Sequence, residues 1–128
     1  MIILIDSSSS VCRISFVDGE KRYDYKWQAD RMLSKGLLGY LDKLIKGHKK
    51  SWTNISAIGV FEGPGSFTGI RIGLTVMNTI ADSQNIPIVG GRGKDWQNEV
   101  LKKIRSGENK EIVLPFYNRG ANITIAKK

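Results

Sequence analysis

The first part of the chain alternates between apolar and polar residues in the manner of β-strands. Residues 2–5 form a continuous apolar run, which is typical of a buried central strand. Residues 11–17 and 22–27 each alternate apolar with polar side chains, and the intervening Asp18-Gly19 is a strong signal for a two-residue hairpin turn. The pattern predicts a three-stranded antiparallel meander over residues 1–27.

The middle of the chain changes to a helical period. Leucines and isoleucines recur at helical spacing over residues 31–46, where Asp30 is placed to cap the helix and Gly47 to end it. A short apolar strand is predicted at residues 57–61 and a second helix at residues 68–82. Because a strand-helix-strand unit returns in the same direction, the strand at 57–61 should extend the meander in parallel.

The remaining segments predict one more strand, one more helix and a tail. The strand covers residues 87–89, and the glycines at 90, 91 and 93 are expected to break the chain before a helix with the stripe Trp96, Val100 and Ile104. Residues 108–128 are predicted to be an extended C-terminal tail. This order of elements predicts a single α/β domain over residues 1–128.

Composition indicates a globular protein of one domain. The chain has 128 residues, 41% of them hydrophobic and 25% charged. No apolar run approaches the roughly 18 residues that span a bilayer, and no signal-peptide pattern is present. The single cysteine, Cys12, cannot form a disulfide within the chain, which suits a reducing compartment. We therefore expect a cytoplasmic protein with no membrane association.

The net charge of +8 allows contact with nucleic acid without requiring it. The basic residues are scattered singly and in pairs, and no aromatic RNA-binding signature is present. Direct contact with RNA and plain solubility both remain open on charge alone.

The glycine-rich segment after residue 61 does not match the established nucleotide motifs. In a dinucleotide-binding fingerprint the third glycine would come one place before Gly69, and the Gly93-Lys94 pair of a would-be P-loop is followed by Asp95 instead of a hydroxyl residue. Two interpretations remain. The helix N-terminus could attract an anion, or the segment is a tight strand-to-helix turn capped by Ser66 or Thr68.

The helix at 68–82 carries two adjacent apolar stripes, more than one sheet normally covers. Both stripes could pack within the chain. Alternatively, part of this face forms a subunit interface together with the helix at 31–46, and two glycines four residues apart admit a backbone from the other subunit. The candidate interface residues are Gly69, Ile70, Arg71, Gly73, Leu74, Val76, Met77 and Ile80.

Candidates for chemistry are few. Asp6, followed by Ser7, Ser8 and Ser9, is a weak candidate for phosphate or nucleotide binding, and an Asx-type turn is the alternative. His48, the single histidine, is expected to be solvated, and Cys12 to be a buried thiol. One cysteine and one histidine cannot make the usual zinc site, so we expect no metal site and no catalytic residue.

Several segments resemble one known family. Residues 63–74, with the sequence GPGSFTGIRIGL, resemble the signature of the TsaB (YeaZ) family of tRNA threonylcarbamoyladenosine biosynthesis proteins. Residues 5–9 with Cys12 resemble the start of these proteins, and residues 58–60 and 86–90 are similar to two of their later strands. Residues 115–119 resemble the P-x-Y-x-R motif near their end.

The resemblance implies an actin-like (ASKHA, ribonuclease-H-like) fold, here as a single lobe of mixed sheet with flanking helices. The second lobe of the family is expected to be absent, because residues 93–128 are too few to build it. The resemblance also implies a non-catalytic scaffold that docks and activates a catalytic TsaD-like subunit.

The expected partners and cofactors follow from the same resemblance. A TsaE-like ATPase is a further candidate partner, a homodimer is expected in isolation, and tRNA is expected to be contacted only indirectly. No cofactor belongs to the chain itself, and ATP and Mg enter only with the partner complex.

Two enzymatic functions are the alternatives to a scaffold. One is an ATP-binding ASKHA-type enzyme, and the other is a glycoprotease-like hydrolase. An ASKHA site needs two lobes, and a protease needs a nucleophile paired with a base, which the sequence does not offer.

Overall fold

A five-stranded mixed sheet organises residues 1–116, the part of the chain that the computed structural model describes. The strand order is β3-β2-β1-β4-β5. The strands are β1 (Ile2–Asp6), β2 (Val11–Asp18), β3 (Lys21–Gln28), β4 (Ala57–Gly63) and β5 (Ile88–Arg92). β1, β2 and β3 pair antiparallel, whereas β4 pairs parallel with both β1 and β5. The predicted meander and its parallel extension are confirmed.

Three helices cover the two faces of this sheet. They are α1 (Leu33–Gly47), α2 (Phe67–Gln84) and α3 (Trp96–Arg105). α1 packs beside α2, and its Tyr40 stacks on Trp27 of β3 with 4.7 Å between ring centroids. On the opposite face α3 packs on β4 and β5, where a side chain at Gly59 would run into Leu4 and Val100. The α/β class with a mixed sheet and flanking helices is therefore confirmed.

The hairpin turn and the start of α1 lie one to three residues from their predicted positions, and the predicted helix cap is not formed. The hairpin turn centres on Gly19-Glu20 instead of Asp18-Gly19, because Asp18 pairs with Lys21 and Gly19 takes the positive φ of 65° that the turn requires. α1 begins at Leu33, and Asp30 does not cap it. Asp30 instead starts a 3₁₀ turn, where its carboxylate accepts a hydrogen bond from Gln28 Nε2 at 2.8 Å.

The prediction that the strand ends at residue 89 and that Gly90 and Gly91 break the chain is wrong. Gly90 and Gly91 lie inside β5. A Cβ at Gly90 would overlap the Glu62 carboxylate, and one at Gly91 would lie 2.7 Å from the backbone oxygen of Trp96. The strand needs glycine there because its neighbours approach too closely for a side chain.

His48 is another correction, since it is half-buried and not solvated. It follows the last turn of α1 and lies 2.5 Å from the Tyr25 hydroxyl through Nε2. Its ring also contacts Phe16 and Tyr23 edge-on, with centroids 5.3 and 4.5 Å apart. His48 therefore joins the end of α1 to the edge of the sheet.

Residues 108–116, the described part of the predicted C-terminal tail, contain no helix or strand and are held by hydrogen bonds at three places. Lys110 N–H donates to Ile88 of β5 at 2.9 Å, buried Val113 exchanges two hydrogen bonds with Asn78 of α2, and Phe116 N–H donates to Glu62 at 2.8 Å. The predicted tail beyond residue 116, including Tyr117 and Arg119, lies outside the described residues.

The turn between β1 and β2 sits directly on the first half of α2. Ser7, only 5% exposed, donates its hydroxyl to the Gly69 carbonyl at 2.8 Å, and the Ser8 carbonyl accepts from Ser66 N–H at 3.0 Å. A Cβ at Gly69 would overlap the Ser7 carbonyl, and one at Gly73 the Ser7 hydroxyl. The sequence-based idea that these glycines admit another subunit is wrong. They admit this chain's own serine turn.

We expect Gly69→Ala to destabilise the fold by about 2 kcal/mol or more, because the added methyl meets a backbone oxygen that cannot rotate away. The matched control is Gly39→Ala in α1, where no atom lies within 4 Å of the new methyl. There the higher helix propensity of alanine should add roughly 0.5–1 kcal/mol. Urea unfolding of both variants measures the difference. Equal effects of the two substitutions would contradict the close packing of the β1–β2 turn against Gly69 of α2.

The stability of the fold should depend on pH through Glu99, because its carboxylate links α3 to the end of β5. Its Oε1 accepts from Arg92 N–H at 3.1 Å, and its Oε2 lies 3.0 Å from Lys103 Nζ. Partial burial raises the pKa of Glu99, but the hydrogen bonds from Lys103 and the Arg92 amide outweigh it and hold this pKa below its ordinary value of 4.5.

The Glu99 carboxylate therefore stabilises the fold fully above pH 4.5 and less as the pH falls through its lowered pKa. Glu99→Gln should be less stable than wild type at neutral pH, and the two stabilities should converge in acid. Urea unfolding between about pH 7 and about pH 3 measures this. Glu20→Gln, which removes a charge from an exposed turn, should show no such convergence.

Candidate functional site

Asp6, Ser7 and Ser9, three of the four predicted phosphate-site residues, already have hydrogen-bond partners for their side chains within this chain. Asp6 Oδ1 accepts from Ser8 N–H at 2.9 Å, Ser7 is bonded to α2, and the Ser9 hydroxyl donates to Val11 at 3.0 Å. This is the Asx-type turn that the sequence offered as the alternative. A phosphate would have to compete with these bonds and with the Asp6 carboxylate.

A depression of about 340 Å³ lies at the carboxyl ends of β1 and β4. Asp6 and Lys94 both line it, together with Phe61, Pro64 and Trp96. Ligands of α/β sheets bind at this edge, but here a carboxylate and an ammonium group face the same space. Within residues 1–116 no three histidine, cysteine or acidic side chains come together as metal ligands.

Cys12 is the buried thiol that the sequence predicted. It lies in β2 with no exposed surface, and burial, followed by the nearby Asp6 charge, raises its pKa to about 12. The thiol therefore stays protonated at neutral pH and cannot act as a nucleophile.

Most of the candidate interface residues lie in the core of this chain. Both apolar stripes of α2 are covered, because α1 and the serine turn add to the cover that the sheet provides. The interface assignment is therefore wrong for five residues, which cannot contact a partner: Ile70, Gly73, Leu74, Met77 and Ile80. Arg71 and Val76 remain at the surface, and Gly69 is partly exposed.

The outer surface of α1 and α2 carries a groove of about 420 Å³, which we call the docking groove. It is lined by Ser34, Thr68, Arg71, Ile72, Thr75 and Val76. Thr68 and Ile72 also line an adjoining cleft of about 860 Å³ that reaches the segment before α1. Of the six groove residues, Arg71 alone is charged.

Large apolar side chains stand exposed on the same two helices and the turn before α1. Met32 is 56% exposed, Leu38 53% and Phe67 44%. The hydroxyls of Thr75 and Thr79 donate to carbonyls of their own helix at 2.8 Å, so they need no partner from outside. This surface can therefore lose its water at little cost in unsatisfied hydrogen bonds.

Thr68, Ile72 and Thr75 were not among the candidate interface residues, because they form neither of the two predicted stripes. The missed signal is the spacing of residues 68, 72, 75, 76 and 79, which mixes threonine with β-branched apolar residues on one side of α2. Such a stripe is too polar for a core and too apolar for an ordinary solvent face.

Comparison with known proteins gives the same family from sequence and from structure. A family model described as "TsaD: tRNA N6-adenosine threonylcarbamoyltransferase" matches residues 27–91, about half of the chain. This stretch contains α1, β4, α2 and nearly all of β5, and therefore the whole docking groove.

Curated relatives carry the name tRNA threonylcarbamoyladenosine biosynthesis protein TsaB. The protein from Buchnera aphidicola subsp. Baizongia pistaciae is 33% identical over 110 residues, which is 80% of this chain and 50% of that protein. The Escherichia coli protein is 28% identical over 90 residues, 70% of this chain and 38% of that protein. The chain thus spans half or less of the length of these two relatives.

A solved structure shares the fold. YeaZ from Pseudomonas aeruginosa superposes with a TM-score of 0.66 at 22% identity, over 71% of this chain and 43% of that one. The shared fold agrees with the actin-like lobe that the resemblance implied. The family model shows that this chain belongs to the TsaD family, and the curated relatives that it resembles within that family are TsaB proteins.

Proposed function

We propose that this chain is a non-catalytic accessory subunit for tRNA N6-threonylcarbamoyladenosine synthesis that docks a TsaD-like catalytic subunit. The observation that carries the proposal is the docking groove with its exposed apolar neighbours. A groove of this kind occurs on a chain whose relatives are named as biosynthesis proteins for this nucleoside.

The physical character of the groove favours a helical partner. Ile72 and Val76 are half-buried in the groove, and the hydroxyls of Thr75 and Thr79 are already bonded to carbonyls of their own helix. A pair of helices from another subunit can pack against α1 and α2 in the ordinary ridge-and-groove geometry. The groove would become the apolar centre of that interface, with Arg71 near its rim.

The lack of paired catalytic groups among residues 1–116 supports an accessory role over a protease or an ATPase. The His48 ring nitrogen faces Tyr25, the Cys12 thiol is buried and protonated, and Asp6 closes its own turn. None of these three groups is in contact with another in the way that nucleophile and base must be.

We further propose which partners and cofactors join this chain. In isolation the docking groove would pair with a second copy of the chain, giving a homodimer that the TsaD-like subunit replaces. A TsaE-like ATPase would join the assembly, ATP and Mg would enter only with that complex, and the work would take place in the cytoplasm. No helix within residues 1–116 is long and apolar enough to cross a bilayer.

Val76→Glu should weaken both self-association and binding of a TsaD-like subunit by about 30-fold or more, since it leaves a buried charge unpaired at the interface. Val76 is half-buried, so the fold should survive. The control is Asn98→Glu, which places the same charge on α3 across the sheet. Light scattering and pull-down with the TsaD homologue measure the effect. Wild-type association of a folded Val76→Glu would refute the docking groove.

The isolated chain should bind ATP weakly or not at all and show no protease activity. The reason is that Asp6 and its serines are committed to the turn and that the nucleotide motifs fail. Isothermal calorimetry with ATP and Mg checks this, with Asp6→Ala as the comparison. Micromolar affinity that Asp6→Ala abolishes would favour the ATP-binding enzyme instead.

A further inference from the structure

The side of β2 and β3 that faces away from α1 carries three exposed cations, Arg13, Arg22 and Lys26. Trp27 stacks on α1, and side chains alternate along a strand, so Lys26 lies on the other face. Arg13 is directly opposite Lys26 in the strand register, and it lies beside Cys12, which is buried under α1. We call these three residues the basic sheet face.

Two of these cations lie directly beside each other. Arg13 and Lys26 face each other across neighbouring strands, an arrangement in which like charges destabilise a sheet. Neither makes an ion pair within the described residues, whereas five other surface cations do, among them Lys46, Arg92 and Lys103.

The acidic groups on this face are already engaged. Asp24 accepts from the Ser15 hydroxyl at 2.5 Å and from Arg22 Nε at 3.0 Å, and these contacts, the Ser15 hydrogen bond above all, lower its pKa. Asp6 is opposite Arg13 in the register, but it accepts a backbone hydrogen bond from its own turn. The three cations nevertheless outnumber the two carboxylates on this face, Asp6 and Asp24.

Arg22 is fixed in position before any ligand arrives. Besides Asp24, its guanidinium donates to the Ser15 hydroxyl at 3.2 Å and to Gln97 of α3. A depression of about 260 Å³ lies between these groups. It is lined by all three cations and by Asp24, whose carboxylate is already bonded to Ser15 and Arg22. That volume is several times the roughly 30 Å³ that one water molecule occupies in the liquid, so it can take a phosphate group.

We propose that the basic sheet face binds the phosphate backbone of RNA. Arg22 and Lys26 are four residues apart on one strand, which is about 13 Å along it at 3.3 Å per residue. Arg13 adds a second cation beside Lys26 on the neighbouring strand. A backbone with phosphates at regular intervals can satisfy all three, and a fixed arginine fork matches phosphate oxygens.

This inference goes beyond the proposed function, in which RNA is contacted only through the partner. The docking groove and the basic sheet face lie on opposite sides of the sheet, so both can be occupied in one assembly. RNA is favoured over an acidic protein segment because the chain as a whole is basic, with a net charge of +8, and its proposed role is in tRNA modification.

The test compares two double variants of the chain in the absence of any partner. Arg13→Gln with Lys26→Gln should weaken binding to unmodified tRNA by about tenfold and lower the salt dependence of log K by about two. Lys35→Gln with Lys43→Gln removes the same charge from exposed positions on α1, where neither lysine is ion-paired to any residue of 1–116, and should leave both quantities nearly unchanged. Fluorescence anisotropy against salt concentration measures both.

The outcomes separate the alternatives. An equal loss in the two double variants would mean a general charge effect and would overturn the proposal, as would unchanged binding of Arg13→Gln with Lys26→Gln. If polyglutamate displaces the tRNA as effectively as unlabelled RNA does, the occupant is an acidic protein segment. Both substituted side chains are exposed, and thermal unfolding of the variant, together with the single Arg13→Gln, checks that the fold is intact.

The same assay separates this proposal from the proposed function. Val76→Glu, which disrupts the docking groove, should bind tRNA like wild type. Arg13→Gln with Lys26→Gln should still bind the TsaD homologue.

Discussion

The contact between the β1–β2 turn and α2 fixes the relation of the sheet to its helices. Ser7 donates to the Gly69 carbonyl from a position that only glycine at 69 and 73 leaves open. Because the turn leads from the central strand into β2, this contact places α2 across β1 and β4. The position of α2 in turn sets where its outer side meets α1, and thus where the docking groove runs.

The family motif therefore has a structural explanation in this chain. Gly65, Gly69 and Gly73 recur every four residues because the serine turn lies along one line of the helix, and Gly65 would carry a methyl 2.6 Å from Ser8. A glycine-rich loop at a helix N-terminus suggests an anion site. Here the same residue types instead serve the packing of a serine-rich turn against a helix.

Strands and helices were predictable from the sequence wherever one period persists over several residues. The meander, the parallel fourth strand and the stripe of α3 all match, because burial on one face imposes a period on the sequence. The predictions for Asp30 as a helix cap and for Gly90 and Gly91 as a chain break failed for a different reason. Their roles depend on what approaches from elsewhere in the chain, such as Glu62 beside Gly90, and no local pattern records that contact. The sequence likewise could not show which side of α2 stays exposed, because that depends on α1 and the serine turn; the interface on α2 stays a prediction.

The buried thiol of Cys12 allows local unfolding of the chain to be measured by chemical labelling. Burial raises the pKa of this thiol far above neutral pH, and none of its surface is exposed. An alkylating reagent can therefore modify the single cysteine of the sequence only when β2 separates from α1. The labelling rate of the unmodified protein measures how often the lobe opens, without an added fluorophore or a designed cysteine.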